Sequence, residues 1–208
     1  MKHLSKRGLG LAGVVAGLAL AAIPAASAQA ALITTSPCDG AKLAQPFLPW
    51  GDTSLYRLVP GGDFESSLSG WTLTGGAHTV AGSEPFASTG KLGSISLDLP
   101  AGSSVSTPFT CVDAAYPTFR FFAKNNSLLS VVAVSVVYRV PLVGQATIPV
   151  GVVALNSKWA PNLLPMLTGS IAAGLLNGGT AQVSLRFTAV TGNSQIDDVY
   201  IDPRCMGA

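Results

Sequence analysis

Carboxylates are the side chains in this sequence with the best claim to chemistry, and they are few: Asp and Glu together number 10. Glycoside hydrolysis needs two of them facing each other across a cleft, one with a raised pKa. Glu65 and Asp198 are the pair that could serve. Other catalytic schemes find little to work with. A Ser–His–Asp triad would need His78 as its base, because the other histidine, His3, lies in the N-terminal leader, and no Gly-x-Ser-x-Gly elbow is present. His78 follows the Gly75-Gly76 turn and alternates with Thr79 and Val80, which predicts a solvent-facing residue on an edge strand. Zinc would want three or four ligands at suitable spacing, and one histidine with three scattered cysteines does not supply them. Phosphate-cradling and dinucleotide fingerprints are absent, and the glycine-rich pieces join strand to strand.

The elements that must position these carboxylates begin after a leader. Lys2, Lys6 and Arg7 precede the uncharged run Gly8 to Ile23, which ends at Pro24 and the small residues Ala25 to Ala30. That order predicts a secretory signal peptide over residues 1–28, cleaved after Ala28, with Ala30 as the second choice. The run is too short to span a bilayer, and no later stretch is both long and uncharged enough, so no membrane span is expected after cleavage. Export also changes the charge. Three of the 12 basic residues leave with the leader, so nine face the 10 acidic ones, a net of −1 where the whole chain has +2. No basic cluster remains, so no nucleic-acid partner is expected. An oxidising compartment would let two of Cys38, Cys111 and Cys205 pair. Cys38–Cys111 would pin the N-terminal segment onto the fold, and Cys38–Cys205 would tie the termini together.

Alternation marks the strands. Ile95, Leu97 and Leu99 oppose Ser94, Ser96 and Asp98. Phe119, Phe121 and Ala123 oppose Arg120, Phe122 and Lys124. Val183, Leu185, Phe187 and Ala189 oppose Ser184, Arg186 and Thr188. Ser130–Val140 is apolar on both faces, as a strand covered on both sides near a sheet centre would be. Shorter strands are expected at Tyr56–Val59, Trp71–Thr74, Ala77–Val80, Ser103–Pro108, Ile148–Ala154 and Gln195–Asp202. Short turns such as Pro60-Gly61-Gly62 and Gly192-Asn193 separate them. Leu163–Leu176 reads as a strand pair or an irregular crossover. The whole predicts an all-β sandwich over 56–208, with 29–55 as an extended N-terminal arm laid over it.

Three stretches carry a resemblance. Leu58-Val59-Pro60-Gly61-Gly62-Asp63-Phe64-Glu65 with Gly70-Trp71, then Gly90-Lys91-Leu92-Gly93-Ser94-Ile95-Ser96-Leu97, and finally Gln195-Ile196-Asp197-Asp198-Val199-Tyr200-Ile201-Asp202 fall in order across residues 58–202. They resemble the opening, middle and closing strands of carbohydrate-binding modules with the galactose-binding-domain-like fold. The pattern with Pro46 to Asp52 and Cys111 is also similar to small secreted actinobacterial proteins. The resemblance implies a jelly-roll β-sandwich of two antiparallel sheets. It also implies a structural calcium joining the first and last strands, with Glu65 and Asp198 or Asp197 as carboxylate ligands and Asp63 and Lys91 offering carbonyls. Calcium takes six to eight oxygens, and two carboxylates brought together need such a neutralising partner. Otherwise the carboxylates are solvated or pair with Arg57 or Arg186.

The same resemblance puts Trp71 in the core and makes the ligand a polysaccharide or cell-surface glycan. Sugars are held by exposed aromatic faces and a few polar groups, and Trp50 and Trp159, each beside a proline, are the candidate binding residues. The leading expectation is therefore a secreted, non-catalytic binding module. The alternatives are a structural or interaction protein that binds no sugar, and a small glycoside hydrolase using Glu65 and Asp198.

Overall fold

Thirteen strands account for most of the described chain, which in this computed structural model comprises residues 42–113, 118–140, 142, 144–162, 166–167 and 180–202. The segment 1–28 read as a signal peptide lies outside these residues, as do Cys38 and Cys205. Among the described residues no helix is long and apolar enough to cross a membrane.

Two antiparallel sheets face each other. One has β10 (Ala160–Pro161), β7 (Thr118–Asn125), β13 (Ser194–Asp202), β4 (Ile95–Leu99) and β3 (His78–Ala81) in that order, with β1 (Arg57–Leu58) also on β13 and β11 (Met166–Leu167) also on β7. The other runs β2 (Thr72–Thr74), β5 (Ser104–Ser106), β12 (Thr180–Thr191), β8 (Val131–Val140) and β9 (Gly144–Ala154), with β6 (Thr110–Asp113) pairing the start of β12. β11 is the described part of the ambiguous stretch Leu163–Leu176, and it is a strand.

Alternation works as expected on the inner faces. Leu97 and Leu99 meet Phe119, Phe121, Leu185 and Phe187 in one buried core, where the Phe121 and Phe187 rings cross at 4.9 Å. Trp71 belongs to this core, 5.1 Å from Phe64, and its indole N–H donates to the Pro60 carbonyl at 2.8 Å. His78 is exposed on edge strand β3, as its surroundings predict. The expectation for Ser130–Val140 needs correcting. β8 lies next to the edge strand β9, and its outer residues Val131, Ala133 and Ser135 are half-buried, with Val137 fully covered. That face therefore has partial cover among the described residues, in a strand one place from the sheet edge.

The outer face of the first sheet is covered. Phe47, Tyr56, Phe122 and Tyr200 form a second apolar cluster there, with Leu58 and Trp159 packed against it. Residues 42–56 build its roof. Ala44 and Tyr56 exchange backbone hydrogen bonds at 2.8 Å, and a short 3-10 turn at Leu48–Trp50 lies between them. Arg120 reaches out from β7 to fasten this segment, donating to Asp52 Oδ2 at 3.0 Å and to the Asn162 carbonyl at 2.8 Å, with its guanidinium 4.3 Å over the Phe47 ring.

Candidate functional site

The last strand is bent where the two aspartates sit. β13 pairs with β7 in register up to Asp197, slips, and resumes at Tyr200, while Asp198 takes φ +45°. In a regular strand neighbouring side chains alternate faces. A bulge breaks that rule. Ile196 and Val199 both point into the core, and Asp197 and Asp198 both engage the Ser83–Ser88 loop. The opening turn docks against this bulge. Val199 N–H donates to the Gly62 carbonyl at 3.0 Å, and Val59 N–H donates to the Val199 carbonyl at 2.9 Å. A Cβ on Gly62 would lie 2.8 Å from the Val199 oxygen, which is why this close approach takes glycine.

Asp197 is fully buried. Its Oδ2 accepts from Ser83 Oγ at 2.6 Å and from Glu84 N–H at 2.8 Å, and its Oδ1 from Asp198 N–H at 2.9 Å. Burial pushes its carboxyl up to about 6 against the pull of these donors. Asp198, 4 % exposed, accepts from Ser88 Oγ. Burial, then the charge of Asp197 and the side chain of Glu84, push it up to about 8, with the Ser88 hydroxyl working the other way. Glu84 is 2 % exposed and receives the Phe86 N–H and, at 2.8 Å, the Ser88 N–H. Among the described residues no lysine or arginine makes an ion pair with these three carboxylates.

Glu65 occupies a separate corner. It accepts from Ser94 N–H at 2.5 Å, Ser94 Oγ at 2.8 Å and Ile95 N–H at 2.7 Å. Burial is the largest single influence and raises its carboxyl, but these donors and the nearby Lys91 charge together outweigh it, and it lies below its usual value. A Cβ on Gly93 would stand 2.5 Å from Ser83 Oγ and 2.8 Å from Glu65 Oε1, so only glycine fits between Glu65 and the hydroxyl that serves Asp197. Ser83, whose hydroxyl serves Asp197, is thus the loop residue that closes on Gly93 beside Glu65. Asp198 turns instead to Ser88. Asp63 is near enough to Tyr200 for its charge to help hold the phenol proton on, and the Lys91 carbonyl accepts from Thr89 Oγ1 at 3.1 Å.

The alternative readings of Glu65 and Asp198 fare differently for the two residues. Asp198 is buried and bound by the Ser88 hydroxyl, Glu65 is half-buried and bound by the Ser94 hydroxyl and two amides, and Arg186 donates to Ser106. A hydrolytic pair needs two carboxylates facing an open cleft, and Asp198 is buried. Among the described residues, no three His, Cys, Asp or Glu side chains are grouped as a metal ion would require. Cys111 is disulfide-bonded, and both of its possible partners lie outside the described residues.

The aromatic candidates share one face. Trp50 is 38 % exposed and crosses Phe86 edge-to-face at 5.0 Å and 86°. Phe86, 44 % exposed, also lies 5.6 Å from Phe122. Of the large hydrophobic side chains exposed among the described residues, these two are the aromatic ones, and they touch. Trp159 packs against the same outer cluster, with the Lys124 ammonium 5.3 Å over its ring. Sequence reasoning missed both Glu84 and Phe86. An aromatic straight after Pro85 in a loop was the available signal for Phe86. For Glu84 it was a second glutamate set between Ser83 and Pro85, in a chain that has so few.

Several solved structures are similar to this chain. The CBM22-1–GH10 modules of a Clostridium thermocellum endo-1,4-β-D-xylanase, solved with xylohexaose, are 13 % identical with a TM-score of 0.51 over 70 % of this chain and 28 % of that one. A xylan-binding domain from CBM22 is 18 % identical over 76 % of this chain and 99 % of its own, with a TM-score of 0.45. A CBM61 module in complex with β-1,4-galactotriose is 14 % identical over 69 % of this chain and 96 % of its own, with a TM-score of 0.41. This chain therefore spans little more than a quarter of the first of these proteins. No protein-family model matches it, and no curated protein does. The fold is a galactose-binding-like jelly-roll β-sandwich, the architecture of these carbohydrate-binding modules.

Proposed function

We propose that the protein is an exported, non-catalytic carbohydrate-binding module whose ligand is a polysaccharide or a cell-surface glycan. The observation that carries this reading is the half-exposed Trp50 ring crossed by Phe86 on the roof of the first sheet. A sugar ring with an apolar C–H face stacks on such a surface, and its hydroxyls need a few polar groups at the rim. Asp52, two residues from Trp50, offers such a carboxylate. Burial opposes its ionised form, but hydrogen bonds from Tyr56, Ser54 and Arg120 keep it below its ordinary value. The xylohexaose complex of the similar xylanase modules makes β-1,4-linked chains the first ligands to try.

Pull-down and titration against a panel of polysaccharides test this. Wild-type protein should bind at least one, and Trp50→Ala should lose about tenfold or more in affinity. Trp159→Ala should lose less, because Lys124 already covers part of that ring. Binding by Trp50→Ala at the wild-type level, or no binding by the wild type, would count against the reading and leave an interaction protein without sugar binding. Export rests on the leader, and N-terminal sequencing of protein from the medium should begin at Gln29. Absence of the protein from the medium would refute export, and protein there that retains Met1 would refute cleavage.

A structural calcium belongs to the same proposal. Glu65 and Asp197 are the residues that would hold it, since Glu65 and the Ser83 hydroxyl that serves Asp197 both close on Gly93, with main-chain carbonyls such as that of Lys91 completing the oxygen shell. The support is electrostatic and lies on the Asp197 side, where the buried Asp198 and Glu84 carboxylates repel it until a cation or a proton intervenes. An ion that binds only the folded state raises its stability by mass action. EGTA should therefore lower the melting temperature by several degrees, with recovery on adding calcium. An unchanged melting temperature would rule the ion out.

A further inference from the structure

Phe86 is an apolar ring left almost half in water by a loop that hydrogen bonds tie down at both ends. Pro85 has no N–H to satisfy and fixes its own φ. The Glu84 carboxylate lies beneath the turn and takes the N–H of Phe86 on one oxygen and that of Ser88 on the other. Between them Ala87 sits at φ +54°, a left-handed conformation that a residue with a Cβ adopts only when its surroundings enforce it. Each end of the loop is then tied to the bulge in β13. Ser83 Oγ and Glu84 N–H bind Asp197, and Ser88 Oγ binds Asp198.

A connection of this length needs none of that. Loops ordinarily run over the surface with their polar groups in water, and burying carboxylates is costly unless every oxygen is hydrogen-bonded. Here three buried carboxylates, a strand bulge and a strained alanine converge on six residues. The outcome of all of them is one aromatic ring set edge-on to Trp50 at 5.0 Å.

We propose that Phe86 is the second wall of the sugar-stacking platform and that Glu84 is the positioning residue that holds it against Trp50. The proposal rests on the reading of Trp50 as a ring on which a pyranose stacks, and it adds the loop that makes the platform rigid. Preorganising such a wall removes the ordering that a flexible loop would otherwise undergo on binding. Neither residue is part of the core between the sheets.

The test uses the full exported chain labelled with ¹⁵N, in which the Trp50 indole signal is assigned by its loss in Trp50→Phe. Glu84→Ala and Phe86→Ala should move that signal to a common new position. Glu84→Gln keeps an acceptor for one of the two amides and should fall between. The Trp71 indole, bonded to the Pro60 carbonyl, reports whether each variant is folded. If Glu84→Ala does not fold, Ser88→Ala removes only the hydroxyl tie to Asp198 and should give a partial shift. Affinity for the polysaccharide that the wild type binds should fall about tenfold in Phe86→Ala and in Glu84→Ala, and less in Glu84→Gln. An unmoved Trp50 signal in Glu84→Ala, or wild-type affinity in Phe86→Ala, would overturn the proposal. A wild type that binds no polysaccharide would remove the platform, and the indole signal would still decide whether Glu84 holds Phe86.

Discussion

Replacing Arg120 with alanine should cost about 3 kcal/mol of stability, because it breaks a largely buried ion pair from one side. Arg120 is 4 % exposed and does three things at once. It pairs with Asp52, donates to the buried carbonyl of Asn162, and lies over Phe47. Asp52 keeps its bonds from Tyr56 Oη at 2.8 Å and Ser54 N–H at 3.0 Å, so the segment should loosen before it detaches. Arg120→Lys keeps the charge but loses the planar fork that serves Asp52 and Asn162 together, and should fall between. Urea unfolding at neutral pH checks both variants. The loss should also weaken glycan binding, since the loosened segment carries Trp50. An Arg120→Ala protein within about 0.5 kcal/mol of wild type would mean that the outer apolar cluster alone holds the segment in place, since only substitutions away from such networks are ordinarily that mild.

The second large effect concerns acidity. Asp197 and Asp198 both have folded-state carboxyls raised above the ordinary 3.8, to about 6 and about 8. A raised acid binds more protons folded than unfolded, so its favourable contribution is complete below about pH 4 and is lost as pH rises through the folded value. Stability should therefore decline from about pH 4 to about pH 8 when measured in EGTA. The groups facing Asp198 are Asp197, Glu84 and Ser88, with Tyr200 beyond, and none of them is a cation. Glu65 and Asp52 are lowered and act in the opposite sense, withdrawing stability only as pH falls through their depressed values. Asp198→Asn keeps an acceptor for Ser88, suits the left-handed backbone at this position and carries no charge. It should flatten the decline and leave the variant more stable than wild type above about pH 8, by on the order of a few kcal/mol. A wild-type midpoint that rises between about pH 5 and about pH 8 would contradict the burial of this carboxyl.

Much of the fold is legible in the alternation of the strands, because a two-sheet core imposes a period of two on whatever faces it. The inner residues of β4, β7 and β12 fall where that period puts them, and Trp71 is in the core. Residues 42–56 pack on the outer face of the first sheet, at the aromatic cluster of Phe47 and Tyr56. The candidate site was only half legible. Alternation sends the side chains of Asp197 and Asp198 to opposite faces. The bulge that brings them together depends on a left-handed Asp198, which nothing in the neighbouring residue types announces. That same bulge turns Asp198 to Ser88 and leaves Asp197 with the Ser83 hydroxyl, which closes on Gly93 beside Glu65. Glu84 was hidden for a different reason. Its partners are amides of its own loop, and short-range backbone acceptors leave no spacing signature of the kind that metal or catalytic clusters do.

The central claim is that sugar meets the protein at Trp50. It is tested most directly by the fluorescence of a Trp159→Phe protein, in which Trp50 is the tryptophan open to solvent and Trp71 is the buried reference. Titration with a soluble β-1,4-linked polysaccharide should shift and protect the emission of Trp50 from an aqueous quencher, saturably, and the change should vanish in Trp159→Phe/Trp50→Phe. Binding detected by calorimetry with no change in Trp50 emission or quenching would place the ligand elsewhere and contradict the account.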